Sequence, residues 1–209
     1  MKNFKFLLFY KWICINALGM SLLFVAFWEG LIDIVIKADS TYISQLIFAV
    51  FIWSLISSGI KIWKISKELN ILKSANFNNS PRFLEFISLC KNKNKNKNKI
   101  GIEPLIDALK LRLFSKIVSN KWLANSLVLL GLIGTVVGFV ISLSNVDASV
   151  VSNVESIGPM VSTMINGMSI AFYTTLVGAI FHIWAMINYN MIAIGTSNLI
   201  SNILESVHK

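Results

Sequence analysis

Four stretches of the chain, roughly residues 12 to 36, 43 to 63, 122 to 143 and 164 to 187, are apolar and nearly free of charge. Hydrocarbon about 30 Å deep takes about 20 helical residues to cross, and each backbone N–H and C=O inside it has to be satisfied within the protein. Each run therefore reads as one crossing, and the expected fold is an all-α integral membrane protein with four transmembrane helices. A mean hydropathy of +0.68, with 55% hydrophobic and 14% charged residues, excludes an ordinary soluble domain. The first run follows Lys2, Lys5 and Lys11 as a signal peptide would, but it is long and has no small-x-small cleavage site before Glu29 and Asp33. It reads as an uncleaved first helix, with Glu29 and Asp33 one turn apart near its outer end.

The basic residues set the orientation. Fourteen of the nineteen lie between Lys61 and Lys121, three precede the first span, and residues 145 to 164 contain none, only Asp147 and Glu155. By the positive-inside rule both termini and the long loop face the cytoplasm. The outer connections are a short turn near Lys37 to Thr41 and the acidic segment carrying Pro159 just ahead of the last span. In the loop, "IKIWKISKELNILKSA" repeats apolar residues at helical spacing, so the second helix continues as an amphipathic cytoplasmic extension. "NFNNSP" ends it, a short helix fits around Phe83 to Leu89, and "KNKNKNKNK" at 91–99 reads as a solvated linker rather than a lipid-binding patch. A second amphipathic stretch from Ile102 to Asn120 leads into the third span. The expected organisation is a two-helix hairpin (1–63), a basic loop (64–121), a second two-helix region (122–190) and a short tail (191–209).

A formal charge of +9 could suggest nucleic acid, yet its confinement to particular loops is the signature of membrane orientation, so no nucleic-acid partner is expected and the bilayer is. Cys14 and Cys90 lie far apart with no ligand spacing around either, which indicates neither a disulfide framework nor a metal site. With no nucleophile–base pair, phosphate loop or metal cluster, neither an enzyme nor a bound cofactor is expected. Trp12, Trp63 and Trp122 fall near cytoplasmic span ends as interface anchors. Phe4, Phe6 and Phe9, interleaved with Lys2, Lys5 and Lys11, suggest a segment lying along the inner leaflet.

The third span, "LLGLIGTVVGFVIS" at 129–142, spends glycines and a threonine where a lipid-facing segment would use leucine. Residues three and four apart share a helix face, so Gly131, Thr135, Gly138 and Ser142 line one side. In the fourth span Ala171, Thr175, Gly178 and His182 repeat the same spacing. Small faces let membrane helices approach closely, and Gly134 with Gly138 is itself a small-xxx-small pair. Glycine would suffice for packing, however. A threonine hydroxyl either bonds its own helix or presents an oxygen to a polar path. His182 has the same two readings, an intramembrane functional group or a neutral histidine bonded to a neighbouring helix.

"LGLIGTVVG", followed after an outer connection by "TLVG" and then "YN", resembles the MotA/TolQ/ExbB family of ion-channel subunits over Trp122 to Asn190. The resemblance implies that Thr135 and Thr175 face the pore, with Thr174 and His182 as further candidates for the ion path. Gly131, Gly134, Gly138, Ala171 and Gly178 would pack the helices, and Tyr189 with Asn190 would mark the cytoplasmic end of the fourth. It also implies a bacterial inner-membrane ring of five copies around a dimeric, single-span MotB/ExbD/TolR-like protein whose aspartate binds the ion. The four-span layout is similar to the flagellar stator type. Ile170 and Trp184 stand where ExbB-like members carry glutamate and proline, and the loop and tail are shorter than in other branches, so the likeness is to the superfamily.

Two functions follow as expectations: an ion-conducting subunit of a membrane motor, or a four-helix scaffold whose small faces only pack. The orientation is testable by itself. Ser149→Cys should react with an impermeant thiol reagent added from outside and Asn94→Cys should not; the opposite sidedness would refute it.

Overall fold

The computed structural model describes residues 6–73, 84, 102–144 and 154–207, and every element among them is helical. Helices α1 (Leu7–Trp28), α2 (Leu31–Ala38), α3 (Ile43–Lys73), α4 (Ile102–Leu143) and α5 (Val154–Val207) follow in order. All but α2 are long and apolar enough to cross a membrane. Of the expected helix around Phe83 to Leu89 only Leu84 is described, in helical conformation; the lysine–asparagine run, Cys90 and the acidic segment at 145–153 lie outside the described residues.

Three of the helices exceed the bilayer. At 1.5 Å per residue, the 42 residues of α4 extend about 63 Å and the 54 of α5 about 81 Å, against hydrocarbon about 30 Å deep. The amphipathic stretches at 60–73 and 102–120 thus continue the spans without a break, as their periodicity predicts. Pro159 falls inside α5 rather than in the connection ahead of it. It sits in the second turn, where its missing N–H leaves one carbonyl without its helical donor.

The first span ends earlier than the apolar run at 12 to 36 suggests. Gly30 takes φ 73°, the left-handed region that costs glycine nothing, and its N–H bonds the Phe27 carbonyl at 3.0 Å in a tightened last turn. Glu29 and Asp33 are therefore separated by a helix break, not stacked on one helix. Asp33 lies in the first turn of α2 and Lys37 in its last, each sign matched to the helix dipole.

Contacts within the chain divide it into two compact units. One comprises Met1–Asn16, Ile56–Lys121 and Ile187–Lys209; the other comprises Ala17–Leu55 and Trp122–Met186. The first has a core like a soluble helical bundle, with Leu72, Leu109, Leu113, Leu199 and Ile203 in one cluster and Ile62, Ile65, Ile117 and Ile192 in another. Polar groups join its helices too. Asn120, 1% exposed, donates to Ser58 Oγ (2.8 Å) and accepts from Ser57 Oγ (3.1 Å) and from Lys61 Nζ, which also donates to Ser119 Oγ (2.7 Å). Asn16 donates to Asn188 Oδ1 at 2.9 Å and receives a longer bond in return. Buried amides of this kind are tolerated because their donors and acceptors find partners. Trp63 and Trp122 are exposed, as anchors should be, but Trp12 turns inward, stacks on Phe9 and lies against Gly59.

In the second unit Ile47, Phe51, Leu127, Phe181 and Trp184 form the core. Phe51 and Phe181 stack with centroids 4.3 Å apart, and the Trp184 ring occupies the space where Gly19 would carry a Cβ. The outer face of α1 presents Leu18, Leu22, Phe24 and Phe27, a surface fit only for lipid or another apolar helix.

The turn before α3 is closed by Asp39. Its carboxylate accepts from Thr41 N (2.9 Å), Thr41 Oγ1 (2.6 Å) and Ser44 N (2.6 Å), while Tyr42 takes the left-handed φ of 61°. Burial favours the neutral acid, but the bonds from Thr41 and Ser44 outweigh it and hold the pKa below its usual value. A carboxyl depressed on folding stabilises the protein above its unfolded pKa and loses that contribution as pH falls through the folded value. Asp39→Ala should cost about 1–2 kcal/mol at neutral pH, the usual effect of losing a helix cap. Thermal melts in detergent should show wild type losing more stability than Asp39→Asn between about pH 5 and pH 3; equal losses would show that the carboxylate contributes nothing.

Candidate functional site

Within the second unit α4 and α5 pack antiparallel through their backbones. A Cβ at Gly138 would lie 2.6 Å from both Ala171 N and Gly167 O. At Gly167 it would lie 2.5 Å from Ser142 N, and at Gly178 2.8 Å from Leu127 O. No real side chain fits at such distances, so each glycine is required by the approach itself. Gly134 receives Thr174, and Gly131 faces Thr174, Thr175 and Gly178. The structure thus places Gly131, Gly134, Gly138, Ala171 and Gly178 in one contact. It adds Gly167, which sequence reasoning passed over although it stands four residues before Ala171.

The contact is centred on the glycines, with the threonines divided between it and its margin. Gly134, not Thr135, faces α5 on the line between Gly131 and Gly138, and Thr135 stands half-exposed at the margin. On α5 the buried hydroxyl is that of Thr174, 0% exposed, which donates to the Ile170 carbonyl at 2.9 Å and seals the contact. Thr175 is exposed. Among the described residues no channel runs between α4 and α5, because their backbones touch.

Helix geometry brings the remaining polar groups together. One residue on from the contact line, a side chain is rotated by 100°; because the helices are antiparallel, the same step on each turns Thr135 and Thr175 to the same side of the pair. Side-chain bonds across the seam lie on that edge. Ser142 Oγ donates to Met164 O (2.9 Å), Thr175 Oγ1 to Gly131 O (3.2 Å), and His182 Nδ1 lies 2.7 Å from Ala124 O. A carbonyl only accepts, so Nδ1 carries the proton and Nε2 is left as an acceptor when the ring is neutral. Thr135 Oγ1 donates to its own helix at Leu132 O (2.6 Å). From Met164 to His182 the edge runs about 27 Å, close to the depth of the hydrocarbon. Thr135 stands about one turn, roughly 5–6 Å, from the level of Thr175.

Each threonine hydrogen is committed to a carbonyl, so what the edge offers outward is oxygen lone pairs. Neither α4 from Lys110 onward nor α5 from Ile157 to Leu204 contains an acidic residue. Ile170 and Trp184 are both buried apolar packing. Among the described residues no group of acidic, histidine and cysteine side chains is arranged to hold a metal.

The model of the MotA/TolQ/ExbB proton channel family matches residues 88–205, more than half of the chain. The chain belongs to that family. No curated protein and no solved structure matches it. Membership covers α4 and α5 almost entirely, so the polar edge lies in the part that makes the chain a MotA/TolQ/ExbB member. It is a multi-pass membrane protein and a subunit related to ion channels.

The backbone contact makes a direct prediction. Gly138→Ala should destabilise the solubilised protein by about 1–3 kcal/mol through overpacking, and Gly138→Leu by more, whereas Val136→Ala on the exposed side should change little. Thermal unfolding in detergent measures this; a Gly138→Leu protein as stable as wild type would remove the close approach.

Proposed function

We propose that this chain is the ion-conducting subunit of a membrane motor, a transport component and not an enzyme, that couples an ion gradient to work through a single-span partner. The observation that carries the reading is the edge of α4 and α5, where the oxygens of Thr135 and Thr175 and the His182 ring lie on one side of the pair with no carboxylate among them. One elementary charge falling through 100 mV releases about 2.3 kcal/mol, and harvesting it stepwise takes a group that binds and releases the ion. In this reading the group is an aspartate of a dimeric MotB/ExbD/TolR-like partner, and the path runs along the outside of the α4–α5 pair. A ring of copies, five by family likeness, would close that path around the partner. Lone pairs turned outward suit a hydronium, a protonated carboxyl or a bare cation. The setting is the bacterial inner membrane with both termini in the cytoplasm.

A second reading also has an observation behind it. The Thr135 hydroxyl is satisfied by its own helix and His182 by Ala124, so the edge could be packing chemistry in a scaffold that conducts nothing. Valine keeps the shape of threonine and removes the oxygen. Ion flux into vesicles containing this protein and its partner, with the partner unplugged if the complex rests closed, should fall at least about tenfold in the Thr135→Val, Thr175→Val double mutant, as for lost acid–base or coordinating groups. Unchanged flux with assembly intact would reject conduction along the edge and leave the scaffold.

A further inference from the structure

The charged residues of the second unit are Glu29, Asp33, Lys37, Asp39, Asp147 and Glu155, and all of them lie outside its spans. His182 is therefore the one side chain within those spans that takes a proton near neutral pH. An ionisable group at such a depth is costly to keep and marks a route for ions or protons.

Joining two helices does not call for a ring. Ser142 and Thr175 reach the facing helix through hydroxyls, which have no second protonation state near neutral pH. His182, one turn beyond Gly178, makes the same kind of contact through Nδ1, 2.7 Å from Ala124 O. Because the carbonyl only accepts, the hydrogen stays on Nδ1. The ring is half-buried, and its Nε2 has no partner among the described residues. One nitrogen thus holds the ring to α4 while the other is left to bind a proton, and the bond to Ala124 strengthens when its donor becomes charged. The hydroxyls of Thr135 and Thr175 can solvate a proton but not keep one. His182 stands seven residues, about 10 Å, beyond Thr175 on the way to the lysine-rich side.

We propose that His182 is the proton acceptor of the conducting edge, so that the ion carried is a proton; this role rests on the conduction proposed for that edge. The partner's protonated carboxyl gives its proton to Nε2, leaving a carboxylate and an imidazolium, a transfer that runs in the ordinary direction between these two groups. The imidazolium then loses the proton from Nε2 to water on the lysine-rich side, and the ring ends in the tautomer in which it began. Since Nδ1 is committed to Ala124, loading and unloading share one nitrogen. Unloading therefore waits until the carboxylate has moved away, and no proton passes straight through without a movement of the partner. A sodium ion would find a single nitrogen where it needs several oxygens in place of its water.

His182→Asn separates the two uses of the ring, because the amide keeps a donor at the place of Nδ1 and removes Nε2. Proton uptake is measured in sodium-free buffer with vesicles containing this protein and its partner, unplugged if the complex rests closed. It should fall about a hundredfold in His182→Asn, the usual contribution of an acid–base group, with assembly and thermal stability unchanged. Wild-type uptake in His182→Asn would overturn the proposal and leave conduction standing, as would a wild type that carries sodium and not protons. A wild type that carries no ion rejects conduction and the proposal together. A second measurement needs no partner, no gradient and no change at His182. The chain has two histidines, so in full-length His208→Gln protein in lipid nanodiscs nitrogen NMR reports one ring. The hydrogen should lie on Nδ1, and Nε2 should gain one as the pH is lowered from about 9 to about 5. A ring that stays neutral across that range, or that carries its hydrogen on Nε2, would refute the role whatever the flux.

Discussion

The conducting edge proposed for this chain rests on the contact of two helix backbones. Between α4 and α5, Gly138, Gly167 and Gly178 let main-chain atoms meet where even a methyl group would collide, Gly134 makes room for the Thr174 side chain, and Gly131 lies close against the backbone of Thr174 and Thr175. In lipid there is no hydrophobic drive to press helices together, so dispersion over a close-fitting surface and bonds across it have to supply the association. Ser142, Thr175 and His182 supply those bonds, each reaching a carbonyl of the facing helix. The same closeness denies water a passage inside the pair and leaves the polar atoms on its rim.

The division of roles among neighbouring threonines follows from this. Thr174 and Thr175 are adjacent in sequence and opposite in consequence, one enclosed against Gly134 and the other turned out beside Gly131. A step of one residue on a helix is a rotation of 100°, enough to carry a hydroxyl from the contact to its edge. The chain uses both positions, one to fill space and one to present an oxygen.

Much of the architecture was readable before any coordinates. Span number follows from length and apolarity, and the continuation of α3 and α4 beyond the membrane follows from a 3.6-residue period that does not stop at the last apolar run. The end of α1 at Gly30 was not readable, because a glycine within an apolar segment looks the same whether it packs a helix or terminates it. On α4 the small-xxx-small pair of Gly134 and Gly138 is legible as packing, whereas spacing of three and four does not say how far Thr135, one residue on, is turned from the contact. The Asn16–Asn188 pair and the Lys61–Asn120 network join residues 172 and 59 apart, and no local pattern announces such partners. Asp39, by contrast, carried a cap signature within five residues of its acceptor role and could have been read.

A contact made of backbone has no rotamers. Side chains at an ordinary interface can trade one packing for another during a cycle, but Gly138 and Gly167 have nothing to exchange, so the pair keeps its register or separates altogether. The interval between Thr135 and Thr175 is consequently a fixed gauge, about one helical turn, cut into the protein like graduations on a rule. Any molecule that travels along this edge meets its stations at a spacing the subunit cannot adjust, and must itself supply all of the movement.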